Sequence, residues 1–314
     1  MTLPIMTATR LCSIAIALGT TACIQQMLID GQIKGTRQGA DAVDTIGDYE
    51  LAKSAAEAGL AQFEGLHRLS PNNDDALFLL TKNWVGYGFA FVDDERERAD
   101  DDGDRALQDH HQGRALMAYD RAILYGTALL GHRADGYDAA KKTDTTLRAW
   151  LRRFDTRADA EALLWTGYAY LVRADLMKSS GATAGIGAVG QLYIGVDMIE
   201  RSTQLDLGYA NFSGLIALAT YHARPMVDAQ ELDQSRQIFE TAIARTQRKN
   251  LLALVNYARA YACGKGDRKL YERLLEEVLV AADPDPGQRL TNAIAKRRAR
   301  RYLLPVHEQE CGWK

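Results

Sequence analysis

The sequence predicts an all-α fold, and three observations support that prediction. Apolar residues recur at helical spacing along most of the chain, and the alternation typical of half-buried strands is hard to find. Only six prolines occur in 314 residues, and several of them stand where a helix would end, as in Ser70-Pro71-Asn72. We therefore expect consecutive helices rather than a sheet.

Six segments carry the helical pattern most clearly, and the first is rich in alanine and ends at the turn around Pro71. In chain order they are AKSAAEAGLAQFEGLHRLSPNN (52–73), RALMAYDRAILYGTALL (114–130), LLWTGYAYLVRADLM (163–177), SRQIFETAIART (235–246), LLALVNYARAYA (251–262) and YERLLEEVLVAA (271–282). Each segment places apolar residues three and four positions apart. Each therefore predicts one helix that is buried along one face.

Small and aromatic residues recur in these segments at the spacing of tetratricopeptide helix pairs. Two sets fit the first helix of such a pair, namely Trp84, Tyr87, Gly88 and Phe91, and then Leu254, Tyr257, Ala258 and Tyr261. Three other sets fit the second helix, namely Gly59, Phe63, Leu66 and Pro71, then Ala115, Tyr119 and Ala122, and then Ser235, Phe239 and Ala242. Small residues let paired helices approach, and one pair cannot bury its apolar face alone. We expect a superhelix of tetratricopeptide-like helix pairs over residues 41–304.

The N-terminus has the layout of a secretory signal peptide. A single positive charge, Arg10, precedes an apolar run over residues 11–18, and small residues then lead to Cys23. We expect a lipoprotein signal peptide over residues 1–22, lipidation of Cys23, a tether over residues 23–40 and a C-terminal tail over residues 305–314. Thr20 stands where such signals usually have leucine, so a plain signal peptide with an incidental cysteine stays open. No aspartate follows Cys23, which favours the periplasmic face of the outer membrane.

Removal of the leader and lipidation of Cys23 would leave Cys263 and Cys311 in the mature chain. In an oxidising compartment these two cysteines could form a disulfide. The sequence does not place them near each other, so a disulfide and buried free thiols are both open. No cysteine or histidine spacing indicates a metal site.

A Gly-x-Gly-x-x-Gly pattern at Gly185, Gly187 and Gly190, followed by Asp206, has the spacing of a dinucleotide-binding fingerprint. That fingerprint requires a strand before its first glycine and a helix directly after it. A long helical pattern precedes these glycines instead. The segment Gly181–Gly190 is therefore interpreted as a flexible link between two helices, with a mobile loop beside a cavity as the alternative.

The charged segments are interpreted as solvated surface. The formal net charge of −3 argues against a dedicated nucleic-acid binder. The acidic segment VDDERERADDDGDRALQDHHQG (92–113) lacks the ligand spacing of a calcium loop and is expected to be a solvated connection. His110 and His111 are expected on a helix surface. The basic run Lys296 to Arg301 is expected on a solvated helix face.

The C-terminal segment 250–303 resembles the T-component family of TRAP transporters. The resemblance rests on the motifs Ala258 to Tyr261, Leu274 to Leu279, Asp283-Pro284 and Asn292 to Ala299. The segment LSPNNDDALFLLTKNWVGYGFAFV (69–92) is similar to the first half of the family. The likeness covers residues 40–130 and 205–304, and the glycine segment departs from it.

The resemblance implies a periplasmic lipoprotein that serves a tripartite, ATP-independent uptake system. In such a system the T component associates with a solute-binding protein, and an apolar cavity holds or passes a hydrophobic ligand. The resemblance also implies a homo-oligomer, with a trimer as one form. From the residues themselves we expect no enzyme activity, no cofactor and no nucleic-acid partner. The alternative function is a scaffold lipoprotein that organises envelope proteins without a small ligand.

Aromatic side chains on the predicted helices are the candidates for a cavity lining or a partner surface. They are Trp84, Tyr87, Phe91, Trp165, Tyr168, Tyr170, Tyr257 and Tyr261. The alternative for each is packing between helix pairs. The sequence contains no recognisable signature of a catalytic triad, a Cys-His pair or paired carboxylates, which favours binding over catalysis. Titratable groups that converge in a cavity would favour an enzyme.

Overall fold

A computed structural model describes residues 24–178 and 190–313, and within these ranges the chain forms helices and turns with no strand. The prediction of an all-α fold is confirmed, whereas the superhelical stacking of tetratricopeptide-like pairs stays a prediction. The expected signal peptide, Cys23 and residues 181–189 of the glycine segment lie outside the described residues. No helix in the described ranges is both long and apolar enough to cross a membrane.

The helices are numbered here in chain order. They are α1 (24–39), α2 (Tyr49–Leu69), α3 (Asp74–Tyr87, a π-helical turn Gly88–Val92, and Asp93–Asp101), α4 (Arg105–Arg133), α5 (Tyr137–Ala140), α6 (Asp144–Leu151), α7 (Asp159–Lys178), α8 (Leu192–Leu205), α9 (Tyr209–His222), α10 (Ala229–Arg245), α11 (Leu251–Asn256, a π-helical turn Tyr257–Ala262, and Cys263–Lys265), α12 (Arg268–Val280), α13 (Arg289–Tyr302) and α14 (Pro305–Glu310). Two 3₁₀ turns, Ala40–Thr45 and Pro286–Gln288, precede α2 and α13.

Many helices begin at a side chain that caps their free backbone N–H groups. Asp48 Oδ1 accepts hydrogen bonds from the N–H groups of Glu50 and Leu51, at 3.0 and 3.1 Å. Other helices are capped in the same way by the side chains of Asn73, Asp104, Thr143, Asp228, Asn250 and Asp267. Such caps typically contribute about 1 kcal/mol each. Local sequence therefore sets where these helices begin.

The buried core forms two main clusters, one in each half of the chain. The first-half cluster is built from residues between 33 and 198, and the second-half cluster from residues between 216 and 302. In the first half, side chains such as Leu80, Leu130 and Leu163 from α3, α4 and α7 form one buried cluster. In the second half, Phe239 of α10 and Tyr271 of α12 belong to another buried cluster. Smaller buried clusters lie between them, where α3 meets α13 and where α7 meets α9.

Both ends of the described chain pack against this helical domain. Residues 24–39, expected as a tether, form α1, and its Ile33 is fully buried in the first-half cluster. The expected C-terminal tail contains α14, where His307 is buried. A disulfide between Cys263 and Cys311 ties the end of this tail to α11. Helical packing thus continues beyond residues 41–304 on both sides.

Helices α7 and α8 make their closest approach at two glycines. A Cβ atom on Gly195 would lie 2.6 Å from the Gly167 carbonyl oxygen and 3.0 Å from the Leu171 nitrogen. A Cβ atom on Gly167 would lie 2.8 Å from the Gly195 carbonyl oxygen. These obstacles are backbone atoms of regular helices, so they cannot move aside without shifting a helix. Only glycine fits at this crossing.

We predict that Gly195→Ala destabilises the protein by about 1–3 kcal/mol, because the new methyl group separates α7 from α8. The control is Gly113→Ala in α4, where a Cβ atom would meet nothing within 4 Å. This control should stabilise the protein by about 0.5–1 kcal/mol, since alanine favours the helix interior over glycine. Urea unfolding followed by circular dichroism measures both changes. Equal effects of the two substitutions would contradict the close approach.

Candidate functional site

A cavity of about 1380 Å³ lies between the two halves of the chain. Its walls come from α3 and α7 of the first half and from α9, α11 and α13 of the second half, with the 3₁₀ turn Ala40–Thr45 at one side. Aromatic and aliphatic side chains share these walls with charged groups. Small-molecule sites are usually concave spaces lined by apolar side chains with a few polar groups, and most are smaller than this cavity.

The π-helical turn Gly88–Val92 in α3 forms part of the cavity wall. In this turn the N–H group of Asp93 donates to the Gly88 carbonyl oxygen, five residues back. A Cβ atom on Gly88 would lie 3.0 Å from the Tyr119 ring, so glycine permits the close approach of α4. Phe89 and Phe91 from this turn both line the cavity. Single π turns of this kind often occur at functional sites.

Four of the eight aromatic candidates line this cavity: Tyr87, Phe91, Trp165 and Tyr168. The Trp165 Nε1 group donates to the hydroxyl of Tyr209, 3.0 Å away, which is also in the wall. These contacts fix the indole ring of α7 against α9. Whether the four side chains contact a ligand stays a prediction.

The other four candidates lie elsewhere. The Trp84 Nε1 group donates to Glu64 at 2.9 Å, and Tyr170 accepts a hydrogen bond from the Tyr137 hydroxyl at 2.8 Å. Tyr257 and Tyr261 have ring centroids 5.2 Å apart and line a separate groove of about 720 Å³ between α10 and α12. The sequence pattern gave all eight aromatic residues the same role. These four lie outside the cavity, in three different environments: beside Glu64, beside Tyr137 and in the separate groove.

The expectation that residues 92–113 form a solvated connection is wrong for its first part. Residues Asp93–Asp101 continue α3, and Asp93 and Asp94 are only 5% and 1% exposed. The expectation of a solvated face for Lys296 to Arg301 is wrong for Arg298 and Arg301, which are 5% and 8% exposed. The physical reason is that the two segments bury their charges against each other.

Asp94 is the centre of this buried ion network. Its carboxylate accepts hydrogen bonds from Arg297 at 2.9 Å, from Arg301 at 2.8 Å and from the Tyr49 hydroxyl at 3.2 Å. Arg301 also pairs with Glu97 on the next turn of α3. The network therefore joins α2 and α3 of the first half to α13 of the second half.

A further carboxylate, Asp101, extends the network to the C-terminal helix. It lies 3.5 Å from Arg301 Nε and 2.8 Å from Nε2 of His307 in α14. Burial raises the pKa of Asp101, and the charges of His307 and Arg301 offset this only in part. The end of α3 thus meets both α13 and α14.

The electrostatics of the network differ from one carboxyl group to the next. Burial alone would raise the pKa of Asp94, but hydrogen bonds and charges from Arg301 and Arg297 outweigh it and hold that pKa below its ordinary value. Burial acts in the same way on Glu97, where nearby arginines again lower the pKa. At Asp93 burial dominates and raises the pKa, despite the charge of Arg96 and a hydrogen bond from Tyr119.

The interpretation of the histidine pair holds for His110, which is exposed, and is wrong for His111, which is buried. His111 Nδ1 lies 3.3 Å from Glu95 Oε2, and Arg114 contacts both residues. Burial lowers the pKa of His111. Within residues 24–178 and 190–313 no group of His, Cys, Asp and Glu side chains has the arrangement of a metal site.

The described residues on either side of the glycine segment do not have the structure that a dinucleotide site requires. The long helix α7 precedes the segment where the fingerprint requires a strand. Gly185 and Gly187 lie outside the described residues. Asp206, the acidic residue of the pattern, follows α8 and pairs with Arg157 at 2.6 Å. Its other carboxylate oxygen accepts a hydrogen bond from the Gly208 N–H group at 3.2 Å, so both oxygens are engaged within the chain.

Sequence reasoning missed the arginines and carboxylates at one end of the cavity. Asp93, Arg96, Glu97 and Arg298 line this end together with Tyr302. A pattern in the sequence could have revealed them, because Asp94, Glu97 and Asp101 share one helix face and Arg297, Arg298 and Arg301 share another. The carboxylates there are engaged by arginines and tyrosines, which gives them a structural role.

The helices and the cavity define an all-α protein built around one large space between two helical halves. The chain belongs to the TRAP transporter T-component family, whose family model matches residues 46–309. It is thus an accessory component of a TRAP transporter, and the family is not a known enzyme family. Comparison with curated proteins gave no match.

We predict that Asp94→Asn lowers the free energy of unfolding by about 3–5 kcal/mol at pH 7, because Arg297 and Arg301 lose the anion they share. The folded-state pKa of Asp94 lies below its ordinary value of 3.8. Its stabilising effect is therefore complete above that value and is lost as the pH falls through the folded pKa. The gap between wild type and variant should narrow from pH 7 to about pH 3, as measured by urea unfolding.

The matched control for this test is Asp283→Asn, at a half-exposed ion pair with Arg289. Exposed pairs contribute little because water screens them. If Asp94→Asn costs no more than Asp283→Asn, the network does not hold the two halves together.

Proposed function

We propose that this chain is a periplasmic, lipid-anchored T component whose cavity holds or passes a hydrophobic organic ligand. The observation that carries the proposal is the cavity of about 1380 Å³ between the halves. Its volume exceeds the roughly 300–1000 Å³ that is common for small-molecule sites. A ligand of considerable apolar area, or one in transit, fits such a space.

The chemistry of the walls supports an apolar ligand body. Phe89, Phe91, Trp165 and Tyr168 contribute aromatic rings, and Leu171 and Val172 of α7 contribute aliphatic groups. The ring centroids of Phe89 and Tyr168 lie 5.9 Å apart in an edge-to-face arrangement. Rings that are already packed this way offer apolar surface without much loss of side-chain entropy on binding.

Family membership supports association with a TRAP system. We propose a solute-binding protein of that system as the partner, with Cys23 lipidated and the chain held at the outer membrane. A homo-oligomer, with a trimer as the form to test, is part of the same proposal. The scaffold alternative requires an open groove without a cavity, whereas here the groove of about 720 Å³ occurs together with the cavity between the halves.

We predict that a neutral apolar fluorophore, N-phenyl-1-naphthylamine, binds the purified protein and that Gly86→Phe weakens its affinity about tenfold or more. Gly86 lines the cavity, and a Cβ atom there would meet nothing within 4 Å, so a phenyl group can enter the space. Fluorescence titration measures the binding. The control Gly113→Phe lies away from the cavity and should leave the affinity unchanged. Equal binding by Gly86→Phe would argue against a ligand in this cavity.

We also predict that cross-linking of the native protein in its own envelopes captures a periplasmic solute-binding protein, identified by mass spectrometry. The control is Cys23→Ser, which should move the chain from the membrane fraction to the soluble periplasmic fraction. Capture of outer-membrane assembly or cell-wall proteins alone would favour the scaffold. An unchanged membrane fraction for Cys23→Ser would contradict the lipid anchor.

A further inference from the structure

The first turn of α1 exposes three large apolar side chains. Ile24, Met27 and Leu28 are each more than half exposed. Met27 and Leu28 follow Ile24 by three and four positions, so the three side chains are neighbours on the helix surface. No other run of five residues in the described ranges carries three exposed side chains of this kind. Single exposed apolar residues are common, whereas a contiguous group marks a surface that contacts a partner or a membrane.

The opposite face of α1 is fixed to the domain. Ile29 packs against the first-half cluster, and Ile33 is fully buried in it. Further along α1, Arg37 pairs with Glu161 of α7, and its Cζ atom lies 3.6 Å from the centre of the Phe78 ring of α3. Helix α1 is therefore part of the folded domain and does not act as a flexible tether.

Polar contacts also hold the start of α1 against the turn after α2. Gln26 Nε2 donates to Ser70 Oγ at 2.8 Å, although 44 positions separate the two residues. Asp30 Oδ1 accepts hydrogen bonds from the Ser70 hydroxyl at 2.8 Å and from the Asn73 amide at 2.9 Å. Leu69, next to Ser70 at the end of α2, is more than half exposed. A fourth exposed apolar side chain therefore lies at the same end of the domain.

This end of α1 is directly connected to Cys23, the proposed site of lipidation. Ile24 is the next residue in the chain. Consecutive Cα atoms are about 3.8 Å apart and a helix rises about 1.5 Å per residue, so Met27 and Leu28 lie within roughly 10 Å of Cys23. The acyl chains of a lipidated cysteine lie in the hydrocarbon core, and the headgroup layer of one leaflet is roughly 5–8 Å thick. The exposed apolar turn is therefore within reach of the lipid headgroups.

The distribution of charge along α1 fits a membrane at this end of the helix. Residues 24–29 carry no charge, and the first charged residue, Asp30, is engaged by Ser70 and Asn73. Beyond Leu28 the exposed residues of α1 are glycines, glutamines and Lys34. A second helix packed along α1 in water would require an apolar stripe over the whole length. The apolar surface is instead limited to the turn next to Cys23, which favours a lipid surface over a second copy of the chain.

We propose that Ile24, Met27, Leu28 and Leu69 form a membrane-contact face that enters the headgroup layer beside the lipidated Cys23. An apolar helix face next to an acyl anchor is a favourable arrangement at a lipid surface, because each adds to the buried apolar area. This inference rests on the proposed function, since it requires the lipid anchor.

The docking of α1 gives this face a second consequence, which is a fixed orientation of the domain on the membrane. The 3₁₀ turn Ala40–Thr45 follows α1 directly and lines the cavity. Helix α1 is about 24 Å long, so this cavity wall lies at most about that far above the anchored end. A flexible tether would set no such limit.

The test measures quenching of a fluorescent label by nitroxide lipids. Met27→Cys is labelled with a nitrobenzoxadiazole reagent, which spares Cys263 and Cys311 because they form a disulfide, while the proposed lipid blocks Cys23. The lipidated protein is placed in vesicles of phosphatidylethanolamine and phosphatidylglycerol, with or without phosphatidylcholine that carries a nitroxide near its headgroup. The label at position 27 should lose most of its fluorescence when the nitroxide lipid is present.

A second label, on Leu69→Cys, tests whether α1 stays docked in the membrane-bound protein. Leu69 is distant from Cys23 in sequence and is near the first turn of α1 only because Gln26 contacts Ser70. The label at position 69 should also be quenched, although less than the label at position 27.

The matched control is a label on Val280→Cys, another exposed apolar position, at the end of α12. Val280 stands three residues before Asp283, whose partner Arg289 lies beside Gly47. Gly47 precedes α2, whereas α1 meets the chain at the other end of that helix. The label at position 280 should keep its fluorescence.

Several outcomes would overturn the inference. Quenching at position 27 but not at position 69 would show that α1 leaves the domain and acts as a tether. Equal quenching at position 280 would show that the domain has no preferred orientation. No quenching at position 27 would show a face turned away from the membrane, and a blue-shifted emission without quenching would show that a second copy of the chain covers it.

Mass spectrometry of the purified chain separates these outcomes from failure of the proposed anchor. A lipidated Cys23 together with any of the results above would overturn the membrane-contact face alone. Absence of lipid on Cys23 would overturn both the anchor and the face. Binding of N-phenyl-1-naphthylamine in the cavity is independent of either result.

Discussion

The buried ion network around Asp94 is the constraint on which the rest of the structure depends. Asp94 lies 203 positions before Arg297, yet their side chains are 2.9 Å apart. Buried charges are stable only when their partners are complete, so this contact fixes α13 against α3. The two halves each have their own apolar cluster. The cavity is the space left between halves that are joined at this network and at the contact of α7 with α9.

The two helices with π-helical turns, α3 and α11, are built alike. Each begins at an asparagine cap, Asn73 or Asn250, and each contains one π-helical turn. Each then ends at a left-handed glycine, Gly103 or Gly266, that is followed by the aspartate cap of the next helix. Both helices line the same cavity, but the aromatic rings come from α3, since Tyr257 and Tyr261 of α11 line the separate groove. The same local construction thus serves both sides of one site.

The charged segments show why composition alone misleads. A run such as Lys296 to Arg301 resembles a solvated surface, because most arginines in proteins are exposed. The carboxylates that pair with this run lie on α3, and Asp94 precedes Arg297 by 203 positions. Nothing in the local sequence connects the two segments. The acids on α3 and the arginines on α13 both recur at helical intervals, which indicates that each set shares one helix face. The position of the partner, however, depends on how the halves dock.

The sequence by itself determined that the chain is all-α, where many helices begin and which aromatic residues could face a site. These features depend on helical periodicity and on capping side chains within a few residues, so they are readable locally. Only the tertiary structure decided that Tyr87, Phe91, Trp165 and Tyr168 share a cavity. It also decided that Cys263 meets Cys311 and that Arg298 is buried beside the Phe89 carbonyl group and Glu97. These are contacts between distant positions, and their geometry is set by the packing of whole helices.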